Sequence, residues 1–336
     1  MLPSGPIFLL KIFFTYLLYP SNTLQVIEVT FEDIRRMRIR GAGRIARAAV
    51  RALEEYGLGL DVGKEEFFKK MKEAGEYLKN ARPTAVSLPN AVNYVLVNLE
   101  REGQNVSQMS VLKEVLKKYC EGFLKRSELA MEKIGSIGSK RIQSGDVILT
   151  HCNSEAAMSV ILAAHMQKKD IKVFCTETRP RRQGLLTSSR LAKLGVDVTL
   201  IVDSAARYFM NKVDSVVIGA DAISVNGAVV NKIGTSMLAL AAKEARSRFM
   251  VAAESYKISP KTFVGELIPI EERPKEEVVS KEWASRNPAV KVANPAFDIT
   301  PPEYVDLIVT EYGVFPPQGI LVLFKEVYGL SEILNQ

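Results

Sequence analysis

Apolar and polar positions follow two rhythms along the chain, changing near residue 143. From about residue 31 to 142 apolar residues recur every three or four positions, the period of amphipathic helices. FEDIRRMRIRGAGRIARAAVRALEEYG predicts one helix over 31–57, closed by Gly57. A second helix is expected over 64–80, and a third from Pro83-Thr84 through AVSLPNAVNYVLVNL. A fourth spans about 107–142, with Gly135 and Gly138 expected to break it near its end. Residues 31–142 thus read as an all-helical domain.

Beyond Ser144-Gly145 come short Val- and Ile-rich runs: DVILTHC, IKVFCTE, VDVTLIVD, DSVVIGAD, RFMVAAES and, later, YVDLIVTE. They alternate with helical stretches such as SEAAMSVILAAHMQKK and GTSMLALAAKEAR. Continuous apolar strands separated by helices predict a parallel sheet covered on both faces. Residues 143–336 are therefore expected to form a Rossmann-like α/β domain, making the fold class α/β with an N-terminal helical domain. Asn226-Gly227 predicts a tight hairpin.

Residues 1–30 stand apart. IFLLKIFFTYLLY is apolar but interrupted by Lys11, and it falls short of the roughly 20 residues a spanning helix needs. Neither a basic leader nor a small-residue cleavage site accompanies it. The expectation is an over-extended start or a helix that docks on a partner, ahead of the alternative of a signal or anchor; no membrane partner is expected.

Composition changes this picture little. The chain has 336 residues, enough for two domains, and 47% hydrophobic with 25% charged residues is ordinary for a globular protein. Three cysteines in apolar contexts make neither a disulfide framework nor a zinc site, which fits a reduced, cytoplasmic setting. The net charge of +7 is spread along the chain, without a basic run interleaved with aromatics. It favours a phosphorylated small substrate over nucleic acid.

Ligands of open parallel sheets bind outside the carboxyl ends of the strands. The first five predicted strands end at His151-Cys152-Asn153-Ser154, Thr176-Glu177-Thr178-Arg179, Asp203-Ser204, Asp221 and Glu254-Ser255-Tyr256-Lys257. Cys152 is either a small core residue or a reactive thiol. Ser154 can cap the helix opening at Glu155-Ala156, whose free N–H groups would lower the thiol pKa. Asp221 is either a turn cap or an acid at a buried rim. Lys232, beside the helix that Asn231-Lys232-Ile233-Gly234-Thr235 opens, is expected to help seat a phosphate. Arg40-Gly41-Ala42-Gly43-Arg44 mimics a dinucleotide fingerprint, but a charged helical stretch precedes it, not a strand. It reads better as a glycine-flanked kink offered to an anion. Arg82, outside Pro83, is a similar candidate.

RGAGRIARAA, RPTAVSLPNAV, THCNSEAAMSVI, TETRPRRQG, IGADAISVNGAVVNKIGTS, AAESYK and NPAFDITPPEYVDLIVTE together resemble the archaeal ribose-1,5-bisphosphate isomerases. These share a wider group with methylthioribose-1-phosphate isomerases and the regulatory subunits of translation initiation factor 2B. The resemblance runs from about Glu32 to Gly329. It implies aldose–ketose isomerisation with Cys152 and Asp221 as catalytic residues. It implies substrate binding by Arg40 through Arg44, Arg82, Ser154, Glu155, Ala156, Asn231, Lys232 and Lys257. No cofactor or metal is implied; AMP is a candidate activator. The implied pathway is AMP degradation feeding RuBisCO, and the implied assembly is a homo-oligomer, dimer-based and up to a hexamer. Two alternatives remain: a methylthioribose-1-phosphate isomerase, and a non-catalytic subunit of the initiation-factor type.

Overall fold

The structure, a computed structural model, describes residues 23–82 and 85–328. They divide into two compact units. One is helical and takes residues up to Arg40, from Arg44 into the Arg82 segment, and Ala91–Leu124. The other holds Gly41–Gly43, the segment up to Asn90, and everything from Lys125 onward.

The helical unit contains α1 (Thr23–Arg35), most of α2 (Ala42–Gly59), α3 (Lys64–Lys79), most of α4 (Ser87–Gly103) and the first half of α5 (Met109–Ser139). The single helix expected over 31–57 is therefore two. Met37 adopts a left-handed φ of 59°. Its N–H donates to the Ile34 carbonyl and that of Arg38 to the Asp33 carbonyl, the pair of hydrogen bonds that closes a helix C-terminus. Glycine normally holds that position, so a methionine there left no sequence signal. Thr23 already opens α1, so the helix also claims residues assigned above to the extension; residues 1–22 lie outside the described part. The expected Pro83-Thr84 start lies there too. Residue 87 opens α4, with Pro89 in the first turn, where a missing N–H costs nothing. Phe31 of α1 stacks on Tyr77 of α3, ring centroids 4.4 Å apart.

The expected break in α5 does not occur. A Cβ on Gly135 would lie 2.8 Å from the Ser159 carbonyl oxygen, and one on Gly138 would lie 2.6 Å from Val160. Both glycines serve close helix packing, and this contact ties the end of α5 to the α/β unit. The domain boundary therefore falls inside α5, not at residue 142.

The α/β unit is built on β1 (Val147–Thr150), α6 (Glu155–Met166), β2 (Lys172–Thr176), α7 (Gly184–Lys193), β3 (Asp197–Ile201), α8 (Ala206–Met210) and β4 (Ser215–Ile218). Then follow β5 (Ala222–Ser224), β6 (Val229–Lys232), α9 (Thr235–Ala245), β7 (Arg248–Ala252), β8 (Ile258–Ser259), α10 (Lys281–Arg286), β9 (Phe297–Thr300), β10 (Leu307–Thr310), β11 (Gly313–Phe315) and α11 (Ile320–Tyr328). The main sheet has the order β11-β10-β7-β4-β1-β2-β3, parallel except for β11. The parallel α/β expectation is borne out. Strand residues alternate between two cores: Leu149, Val216, Ile218 and Val251 join one, and Ile148, Val217, Met250 and Ala252 the other. Each fully buried aliphatic side chain of this kind contributes about 1.5–3 kcal/mol.

The Asn226-Gly227 hairpin joins β5 to β6, and both belong to a second sheet, β8-β5-β6-β9. That sheet, assembled from residues as far apart as 222 and 300, was not anticipated. Among the described residues no helix is long and apolar enough to cross a membrane.

Candidate active site

Strand order reverses direction between β1 and β4: from β1 the chain first builds outward to β3, then returns to β4 on the other side. The crevice beyond the carboxyl ends of these two neighbours is where an open α/β sheet takes its ligand. Cys152 follows β1 and Asp221 follows β4, so topology alone puts both at that point. Gly219 makes the approach possible. A Cβ there would sit 2.2 Å from the Ser154 hydroxyl oxygen, so any side chain would push the Asp221 segment away from the start of α6.

Cys152 is half-buried and carries a left-handed φ of 68°. For a residue other than glycine this conformation costs about 1–3 kcal/mol and persists only when neighbours impose it. Its N–H donates to the Thr178 hydroxyl at 2.8 Å, and its carbonyl accepts from the Thr187 hydroxyl at 2.7 Å. Ser154 caps α6 as expected, accepting the Ala157 N–H at 3.2 Å; Glu155 opens the helix and Ala156 is buried beneath it.

The helix terminus does not make the thiol acidic. Burial pushes the Cys152 thiol up to about 11. Lys232 and the Asn153 N–H pull it down, while Asp221 and Asp203 oppose ionisation. Desolvation outweighs the cation and the N–H, which reverses the expectation of a lowered pKa. Lys232, Asp221 and Asp203 thus all bear electrostatically on the sulfur.

His151 is 2% exposed, and both of its ring nitrogens are engaged. Its Nε2 faces the Ile233 carbonyl at 2.9 Å and its Nδ1 faces the Thr176 hydroxyl at 2.6 Å. A carbonyl only accepts, so Nε2 carries the proton and Nδ1 accepts from Thr176. Burial holds the imidazole below its ordinary pKa, in the neutral form this arrangement needs. Asp203, at the end of β3, accepts the Thr178 N–H at 2.7 Å and the Arg179 N–H at 2.6 Å.

The phosphate seat expected at α9 is partly taken. Asp298 of β9 accepts the N–H of Gly234 at 2.8 Å and that of Ser236 at 3.1 Å. Burial pushes this carboxyl up to about 6, while those N–H groups and Lys232 pull it down. Lys232 itself extends over the Phe297 ring, 4.6 Å from its centroid. Asn231 is buried and donates to the Thr235 hydroxyl at 2.9 Å.

Lys257 is buried and bound to Glu254 at 2.7 Å. Burial alone would raise the Glu254 carboxyl, but Lys257 and the Tyr256 hydroxyl outweigh it and hold it below the usual range. Of the remaining candidates, Gly41, Ala42 and Gly43 belong to the α/β unit, where the Ala42 carbonyl accepts the buried Ser87 hydroxyl at 2.9 Å. Gly41, at a φ of +88°, immediately precedes α2. Arg40, Arg44 and Arg82 belong to the helical unit. Arg40 is exposed and donates to the Met37 carbonyl at 2.6 Å.

Thr178, Thr187, Asp203 and Asp298 were not anticipated. The first and third stand at strand ends already named and could have been found there; Thr187 and Asp298 reach the site only through tertiary packing. Among the described residues no cluster of three or more His, Cys, Asp or Glu is arranged to hold a metal ion.

The initiation factor 2 subunit family model matches residues 38–317. The chain is 53% identical to a ribose 1,5-bisphosphate isomerase of Methanocaldococcus jannaschii, over 94% of this chain and all of that protein. It is 40% identical to a methylthioribose-1-phosphate isomerase of Thermosipho africanus, over 87% of this chain and 88% of the other. Among solved structures, 5-methylthioribose 1-phosphate isomerase from Pyrococcus horikoshii superposes with a TM-score of 0.73 at 33% identity, covering 90% of this chain and 88% of that one.

Proposed function

Because the chain belongs to the initiation factor 2 subunit family, and its thiol and carboxyl follow the two strands at the switch point of its sheet, we propose that it isomerises ribose 1,5-bisphosphate to ribulose 1,5-bisphosphate. What carries the enzymatic reading is the Cys152–Asp221 pair, adjacent through β1 and β4 and close enough for Asp221 to bear on the thiol. A purely binding subunit has no use for such a pair. The choice of substrate follows the relatives: those named for ribose 1,5-bisphosphate reach 53% identity and those named for methylthioribose 1-phosphate reach 40%.

The anomeric oxygen of this substrate is locked in a phosphate ester, so the ring does not open unaided. Asp221 donates a proton to the ring oxygen as the C1–O bond breaks. Cys152 then takes the C2 proton and returns it to C1, while the Asp221 carboxylate takes the proton of the C2 hydroxyl, leaving a ketone at C2 and both groups as they began. The scheme needs a thiolate and a carboxylic acid together. An ionised Asp221 opposes the thiolate, and a protonated one does not. The scheme assigns the acid role to Asp221 and the base role to Cys152. Lys232 is the nearby cation favouring the thiolate and meets one phosphate. Lys257, with its charge set against Glu254, is assigned to the sugar phosphate end. Ser154, Glu155, Ala156 and Asn231 frame the same rim, and the Gly41–Ala42–Gly43 turn of the α/β unit is assigned to the second phosphate. No cofactor or metal enters the scheme. AMP acts as activator, the setting is cytoplasmic, and copies of the chain associate as dimers or multiples of them. Among the described residues β3 is an edge strand, and the exposure of Leu200 on it and of Val202 just beyond it supports such association.

The test is an NMR assay of the purified protein with ribose 1,5-bisphosphate and with 5-methylthioribose 1-phosphate, each with and without AMP. Ribulose 1,5-bisphosphate from the first substrate alone is expected, faster with AMP. Turnover of the second alone would change the substrate, and silence with both would favour a regulatory subunit.

A further inference from the structure

Cys152 is held in a conformation that a cysteine does not choose, and the groups imposing it come from outside its own strand. Thr178 lies beyond β2 and Thr187 on α7; both are buried, at 0% and 1% exposure. One accepts the Cys152 N–H, the other donates to the Cys152 carbonyl. The two hydroxyls therefore grip both sides of a single residue. Thr187 also stands 3.0 Å from the Asn153 Oδ1. A hydroxyl has one proton, and the shorter contact assigns it to the Cys152 carbonyl. Thr178 is itself fixed at a φ of 62° by the Asp203 carboxylate on its N–H. The Asn153 N–H meets the sulfur, and Lys232 favours its ionisation, while the backbone is held this way.

We propose that Thr187, with Thr178 opposite, is a positioning residue that locks Cys152 in the left-handed conformation and so aims its sulfur at the reacting carbon. The proposal rests on Cys152 as the group that moves the C2 proton. Its physical content is that the threonine hydroxyls hold the cysteine by its backbone N–H and carbonyl and act on the sulfur through them. A small error in aim is costly, because proton transfer from carbon tolerates little misplacement.

The test compares the full-length protein with Thr187→Val, which keeps the shape and loses the hydroxyl, and Thr187→Ser, which keeps the hydroxyl. Turnover of ribose 1,5-bisphosphate is measured beside the rate at which iodoacetamide alkylates Cys152, followed by peptide mass spectrometry across pH. Thr187→Val is expected to lower kcat by about 10–100-fold with KM little changed. Its Cys152 should alkylate more slowly at a given pH, because the sulfur leaves the Asn153 N–H. Thr187→Ser should restore both. A packing role alone would loosen the site and make the cysteine alkylate faster, so equal or faster alkylation overturns the proposal, as does near-normal kcat. Cys120 and Cys175 are buried and report the fold by staying unlabelled. Should Thr187→Val expose them, Thr178→Val carries the same test from the other side of the cysteine. If the parent turns over no ribose 1,5-bisphosphate, the substrate reading fails while the alkylation arm still decides the clamp.

Discussion

At the scale of the residue, the site is governed by a contest over one thiol proton. Burial raises the Cys152 thiol to about 11, Lys232 favours its ionisation and Asp221 resists it. The signs of two alkylation experiments follow. Asp221→Asn removes an opposing charge and should make Cys152 alkylate faster near neutral pH. Lys232→Met removes the supporting charge and should slow it. In the same Asp221→Asn protein, and in Cys152→Ser, turnover should fall by about two decades or more with the melting temperature nearly unchanged. Faster alkylation coupled to lost turnover separates a functional acid from a merely structural carboxylate. Cys152 and Asp221 were legible in the chain because each follows an apolar strand at the rim where such sheets bind ligands. The direction of the thiol shift was not legible, since it depends on how much desolvation the folded crevice imposes.

At the scale of the element, two contacts decide how helices meet the sheet. Gly135 lets α5 run against α6 at a distance no side chain allows. Gly135→Ala gains helix propensity yet forces a methyl group into the Ser159 carbonyl. The net expectation is a loss of about 1–2 kcal/mol, read as a lower denaturant midpoint at unchanged slope. Asp298 tells on pH. Its folded pKa of about 6 lies above the ordinary 3.8, so the folded chain holds a proton that the unfolded chain releases. Its contribution to stability is present below pH 3.8 and is lost as pH rises through 6. Thermal melts of Asp298→Asn and the parent between pH 4 and 7 should therefore differ in slope, with the variant lacking this decline. A helix start was readable where serine marks it, as at Ser154. A helix stop was not readable at Met37, where hydrogen bonds to Asp33 and Ile34 stabilise a left-handed residue that carries no glycine.

At the scale of the whole molecule, the family assignment and the parallel α/β class agree with the sequence motifs and the sheet alike. The expected assembly is checked by light scattering coupled to gel filtration. A mass corresponding to two, four or six copies of the 37.3 kDa chain is expected, and a monomer at micromolar concentration would overturn it. The period of the apolar residues determined by itself that a helical segment precedes a parallel sheet. The residues at strand ends determined which chemistry the rim could hold, because both are local consequences of backbone geometry and side-chain type. Tertiary structure alone decided the rest. It built the second sheet from residues 222 to 300, placed the domain boundary inside α5, set Asp298 on the α9 terminus and brought Thr187 to the Cys152 carbonyl. Each of these depends on groups far apart in the chain meeting at van der Waals or hydrogen-bond distance, and neither period nor spacing along the chain encodes that distance.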